Sequence, residues 1–218
     1  ELSNPIMRFV EKRKGGILYR IVYGFLRGIN HVNYNRPLYE RRERSKRCTK
    51  NLLKELSEVK ENNPDLIVML MHHGGQYNKF ASDDTKNKVS FLLENGINIV
   101  SGTHEHVVHG GVFNKISQNK IATYSLGDFD GSVTDKNNLS DYSVAWHVYI
   151  DNETKTISKS TFSVLKTLQD GNKRRTVPVF DLYDKLTSDE KDSVYEIVER
   201  FTGKNSGALK IQEEYSIN

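Results

Sequence analysis

One cysteine, Cys48, occurs in 218 residues, so the chain cannot build an internal disulfide framework. That scarcity neither demands nor forbids an extracytoplasmic home. No apolar run approaches the ~20 residues of a membrane-spanning helix, and no signal peptide is visible at the start. Internal repeats and low-complexity tracts are missing as well. So are the phosphate-cradling P-loop, a Gly-x-Gly-x-x-Gly turn after a strand, the His-Glu-x-x-His zinc helix and the Gly-x-Ser-x-Gly elbow. Their absence removes the motifs on which nucleotide hydrolysis, dinucleotide binding, zincin proteolysis and serine-hydrolase chemistry rest.

What is present is enough chain for one domain with a real core. Hydrophobic residues make up 36% and charged residues 28%, a soluble globular balance. Charge is unevenly spread. Residues 1–50 hold thirteen Lys and Arg against four Glu, and the remainder nineteen against twenty-four acids. The basic start carries Phe9, Tyr19, Tyr23, Phe25 and Tyr34, interrupted by glycines. Such an arm suits nucleic acid, anionic lipid or an acidic polymer. The plainer reading, a solvated helix face and connector, is preferred, and no nucleic-acid partner is expected. A helix is expected from Arg41 to about Asn62, with Cys48, Leu52, Leu56 and Val59 as its apolar stripe. It is expected to pack beside the first strand, with Pro64 turning the chain. The natural division is 1–64, a basic helical arm, and 65–218, the main domain.

The main domain is organised around Asp65–Phe129, which holds five of the seven histidines. His72 and His73 follow the apolar run Leu66–Met71, which reads as a buried strand. His104, His106 and His109 follow a second run, Ile97–Val100. Between the runs Ser82 can cap a helix, Asp83 and Asp84 suit its positive end, Val89, Leu92 and Leu93 form its apolar stripe, and Gly96 can end it. Strand, helix and strand make a right-handed βαβ unit with parallel strands. Both His loops then leave the same carboxyl edge of the sheet, where ligands of open α/β sheets gather. Imidazoles brought together this way suit a divalent transition metal. The alternative is a set of surface-loop histidines, and it holds best for His73 and His109. Glycines at 74, 75, 102, 110 and 111 permit close backbone turns.

His72-His73-Gly74-Gly75-Gln76, then Gly102-Thr103-His104-Glu105-His106, then Tyr124–Phe129 together resemble the poly-gamma-glutamate capsule-synthesis family (CapA-type). The family pattern is a His-Trp-Gly-x-Glu loop, a Gly-x-His-Pro-His loop and a Tyr-Ser-Leu-Gly-Asn-Phe strand. This chain departs from it at His73, Gln76, Glu105 and Asp128. The likeness covers Asp65 to about Ile150. It implies the C-terminal half of a metallophosphoesterase-like αββα sandwich, an α/β fold with a mixed sheet and flanking helices. It also implies a divalent metal ion (Mn, Zn or Fe), dinuclear in a full-length protein, a metal-dependent phosphoesterase-like activity, and an extracytoplasmic, membrane-associated place in the cell envelope. On that resemblance His72, His104 and His106 are candidate metal ligands. His73 and Asp128 are candidate catalytic groups, and Gly74, Gly75, Gln76 and His109 candidate substrate contacts. The partner implied is an anionic polymer or a phosphorylated substrate. A non-catalytic envelope protein that binds or exports such a polymer is the alternative. The family's earlier Asp-bearing, Asn-Leu-Glu and Asn-Asn-His motifs have no match here, Asn30 and His31 reading as ordinary polar residues. A chain opening at Glu1 is therefore expected to be half of a larger protein, with any membrane anchor upstream, and its uncovered edges favour a homo-oligomer.

Beyond the His loops, strands are expected at Val112–Ile116 and Lys120–Ser125 as a hairpin turning at 117–119. Asp128 and Asp130 can reach toward the His loops; the alternative, a carboxylate that only hydrogen-bonds loop backbone, is preferred for Asp130 and stands level for Asp128. Asp141–Ile150 alternates as a half-buried strand, Lys155–Leu165 returns antiparallel, and Gly171–Arg175 reads as a basic loop. Thr187 and Glu190 form a capping box for a last helix with Val194, Ile197, Val198 and Phe201 on its core face. The tail from Lys204 reads as loop.

Overall fold

The computed structural model describes residues 38–129, 139–204 and 210–217. The aromatic arm before residue 38 and Asp130 lie outside them. The chain divides into two compact units, Glu1–Asn63 and Pro64–Asn218. In the first, helix α1 (Leu38–Glu61) opens three residues earlier than the charge run suggested. Its stripe is thinner than expected: Leu56 is buried, whereas Val59 and Cys48 are exposed.

The second unit opens with the expected βαβ element: β1 (Val68–His72), α2 (Asp83–Glu94) and β2 (Ile99–Thr103). The Ser82 hydroxyl accepts from Thr85 N, and Val89, Leu92 and Leu93 are buried. Gly96 then turns the chain at φ 92°. The two strands pair in parallel from Val68–Ile99 to His72–Thr103. β3 (Val108–Val112) and β4 (Ile121–Leu126) complete a sheet in the order β1-β2-β4-β3. β4 lies parallel to β2, and β3 antiparallel to β4. The fold class is α/β with a mixed sheet. β1 is not the buried strand its apolar run implied. Among the described residues it lies at the edge of the sheet, and Val68 and Leu70 are 55% and 78% exposed.

The hairpin forms with a shifted first strand. β3 ends at Val112, Ile116–Gln118 is a 3-10 turn, and Asn119 takes a left-handed φ of 57°. This register draws Val107 and Val108 fully into the core. Apolar burial decides the register, because burial scales with the area removed from water.

A second, antiparallel sheet follows, made of β5 (Tyr142–Ile150), β6 (Ile157–Asp170) and β7 (Lys173–Pro178), with β8 (Tyr215–Ser216) also on β6. The expected basic loop is therefore only a tight turn at Gly171. Lys173, Arg174 and Arg175 pair with Asp170, Gln169 and Leu168. The tail is not all loop, because the buried Tyr215 ring stacks on Phe162 at 5.2 Å and carries its backbone into the sheet. Helix α3 (Ser188–Thr202) has the full Thr187–Glu190 capping box and stops at left-handed Gly203. Its Phe201 meets Phe162 of the second sheet at 4.6 Å and Phe113, just past β3, at 5.3 Å. One core thus joins α3 to both sheets. A single bridge between Gly127 and Ser143 ties the end of β4 to β5, which places Asp128 beside the carboxyl edge of the first sheet.

Candidate functional site

Parallel pairing brings the two His loops side by side. The rings of His72 and His104 are 4.4 Å apart, and those of His104 and His106 are 6.4 Å apart. The Thr103 hydroxyl donates to the Met71 carbonyl at 3.3 Å, so its lone pair is left to accept from His72 Nδ1 at 3.4 Å. Burial pushes the His104 imidazole pKa below its ordinary value, and the neighbouring His72 and His106 act in the same direction. This favours the neutral imidazole, the form that donates a lone pair.

His106 is the best-oriented ring of the three. Its Nδ1–H donates to Asp128 Oδ2 at 2.8 Å, and its Nε2 accepts from the Gln76 amide at 3.3 Å. Tyr77 stacks on its face with centroids 5.1 Å apart. A carboxylate on one ring nitrogen fixes the tautomer and leaves the lone pair on the other, the usual arrangement behind a metal-binding imidazole. Asp128 thus meets the second His loop through His106.

The backbone here is unusual. Tyr77, His104 and His106 have φ of 60°, 98° and 62°, the left-handed region that ordinary side chains avoid. Between the two strained histidines lies Glu105, wholly buried. Its Oε1 accepts from the Thr85 hydroxyl at 3.3 Å, and its carbonyl accepts from Tyr77 N at 2.8 Å. Its Oε2 stands 2.6 Å from His109 Nδ1, outside hydrogen-bond alignment. His109 is only 3% exposed and donates from Nε2 to the Asn78 carbonyl at 2.8 Å. It therefore packs beneath the first His loop and faces a small cleft with Lys86 and Tyr124. Gly74 sits directly over Glu105: a Cβ there would fall 1.7 Å from Oε1.

The remaining candidates have other partners. His73 Nε2 lies 2.9 Å from Asp84 Oδ2 and 3.0 Å from Lys88 Nζ on α2. The Asp84 carboxyl is held below its ordinary pKa, chiefly by the Lys88 hydrogen bond and further by His73. Gly75 abuts the Asn78 side chain. Among the described residues no group of three or more His, Cys, Asp or Glu side chains is arranged to hold a metal ion. Two adjoining imidazoles and a third held by a carboxylate are part of a donor set, and they do not make a complete site.

This edge, with its motifs in order, can be set against known families. Residues 26–131 match the model of the bacterial capsule synthesis protein family, PGA_cap. The CapA-type resemblance of the motifs is therefore shown. The capsule-synthesis match spans just under half of the chain. It starts well before Asp65 and stops at 131 rather than near Ile150. The second sheet and α3 lie beyond it. No curated protein gives a significant match.

Within the matched segment, Glu105 stands where the resembled pattern has Pro, and the sequence showed no more than that departure. Its role as a buried anchor, the Thr85 contact and the Tyr77 stack on His106 were all unread. A carboxylate set between two histidines in a glycine-bounded loop was the one available signal for Glu105.

Proposed function

We propose that the chain serves in the synthesis of a bacterial capsule, an anionic cell-envelope polymer such as poly-gamma-glutamate, with its imidazole edge as the face that meets polymer or phosphorylated substrate. The observation that carries this is the convergence of His72, His104 and Asp128-oriented His106 inside the matched segment. A divalent metal ion (Mn, Zn or Fe) would find imidazole donors here. A metallophosphoesterase-like hydrolytic site would need carboxylate ligands from outside the described residues, as hard dinuclear centres do. An extracytoplasmic, membrane-associated location is part of the same proposal. No helix among the described residues is long and apolar enough to cross a membrane.

A second reading, a non-catalytic envelope protein that binds or exports the polymer, draws on the lack of any three-donor group among the described residues. Titration calorimetry with Zn²⁺ and Mn²⁺ on wild type and His104→Ala, beside a generic phosphodiester assay, separates the two. The partial site predicts Zn²⁺ binding that His104→Ala removes, weak Mn²⁺ binding and slow hydrolysis at most. Tight Mn²⁺ binding with brisk turnover would show a complete hydrolase. Equal Zn²⁺ affinity in both proteins would dissolve the cluster and favour polymer binding alone.

A further inference from the structure

We propose that Glu105 is the positioning residue of the imidazole edge: its buried carboxylate holds the His104–His106 turn in its left-handed backbone and clamps the Gly74 loop over it. This rests on the reading of that edge as a donor face.

Three independent features converge on this residue. The first is conformational. His104 and His106 both sit at positive φ, and such strain survives only where the surroundings over-determine it. The residue between them is the one that is wholly buried. Burying its side chain downward turns the flanking rings outward on either side.

The second feature is the contact set. The Glu105 carboxylate reaches α2 through Thr85 and lies against His109 of β3, while its backbone carbonyl accepts from Tyr77 N of the first loop. His109 in turn donates to the Asn78 carbonyl. The Glu105 carbonyl and His109 thus hold the Tyr77–Asn78 end of the first loop, while the Glu105 carboxylate underlies its Gly74 end. Because a carbonyl can only accept, Nε2 must carry a proton. The 2.6 Å approach of Nδ1 to Oε2 packs the ring against the carboxylate outside hydrogen-bond alignment. A buried carboxylate left without such partners would be costly, so the set behaves as one unit.

The third feature is steric. Gly74 lies at φ 126°, and any Cβ there would overlap Glu105 Oε1. The first His loop is shaped to seat on this carboxylate, and His72 precedes the seat by two residues.

Glu105 therefore acts on the rings without touching what they bind. The test uses the whole chain and two readouts: histidine-ring NMR spectra of His72, His104 and His106, and Zn²⁺ affinity by calorimetry. Glu105→Gln is isosteric and keeps an acceptor for Thr85. It should leave the three ring signals near their wild-type positions. Glu105→Ala should displace all three and weaken Zn²⁺ at least about ten-fold, as loss of a ligand-orienting group does. If Glu105→Ala does not fold, Thr85→Val removes one partner of the carboxylate and should shift the same ring signals by a smaller amount. Unmoved rings in Glu105→Ala, or in Thr85→Val where that variant must stand in, would overturn the proposal whatever happens to stability. Absence of Zn²⁺ binding in wild type would sink the donor-face reading alone, because the ring spectra still report on Glu105.

Discussion

Asp128 Oδ2 lies 2.8 Å from His106 Nδ1, joining a residue after β4 to one in the loop after β2. The carboxylate is largely shielded, with its side chain 17% exposed. It selects the tautomer that leaves the His106 Nε2 lone pair on the side of Gln76. Asp128→Ala should release the ring into a tautomer mixture, visible in the nitrogen NMR shifts of His106. It should also weaken Zn²⁺ by about 10–100-fold. Asp128→Asn keeps an acceptor and should fall between.

Gly74 should tolerate no side chain. Gly74→Ala adds a Cβ that overlaps Glu105 Oε1 at a backbone angle of φ 126°. The expected loss is at least about 2 kcal/mol from strain and overpacking together, read from urea denaturation. In a double-mutant cycle with Glu105→Ala the two losses should be clearly non-additive, since removing the carboxylate relieves the overlap. Simple additivity would mean that Gly74 and Glu105 do not share a contact.

Acid stability should show the Lys166–Glu190 pair. Glu190 is lowered from 4.5 to about 2, first by the Lys166 hydrogen bond and then by the Thr187 backbone. A carboxyl with a depressed folded pKa contributes stability that is fully present above its unfolded value. That contribution is lost as pH falls through the folded value. The window is therefore from about 4.5 down to about 2. Thermal melts across it should fall more steeply for wild type than for Glu190→Gln. The side chain is 36% exposed, so solvent screening keeps the difference modest.

Phe201 should dominate the core. It is wholly buried and meets both Phe162 and Phe113. Phe201→Ala should cost about 3–5 kcal/mol by loss of transfer energy and the cavity left behind. Because α3 joins the two sheets, tryptophan fluorescence of Trp146 and far-ultraviolet dichroism should report one shared transition moved to lower urea. Two separated transitions would show that the sheets unfold independently.

What could be read from sequence was local or periodic. Ser82 and the Thr187–Glu190 box mark helix starts because a cap needs only a side chain and a backbone donor a few residues apart. The βαβ rule placed His72 beside His104 because crossover handedness leaves one arrangement. Register was another matter. A hairpin turn at 117–119 favoured a strand over Val112–Ile116, yet β3 is Val108–Val112, decided by which apolar residues reach the shared core. β7 and β8 formed from segments read as loops because β6 and Phe162 offered partners distant in sequence. The same holds for the site. The types and spacing of the histidines gave away the cluster, but side-chain partnerships spanning 20 residues from Thr85 to Glu105 or 22 from His106 to Asp128 leave no local periodicity. Only the tertiary fold could turn Glu105 inward and bring Asp128 to His106, because both outcomes depend on which loops share a sheet edge and on what each carboxylate finds there to accept from.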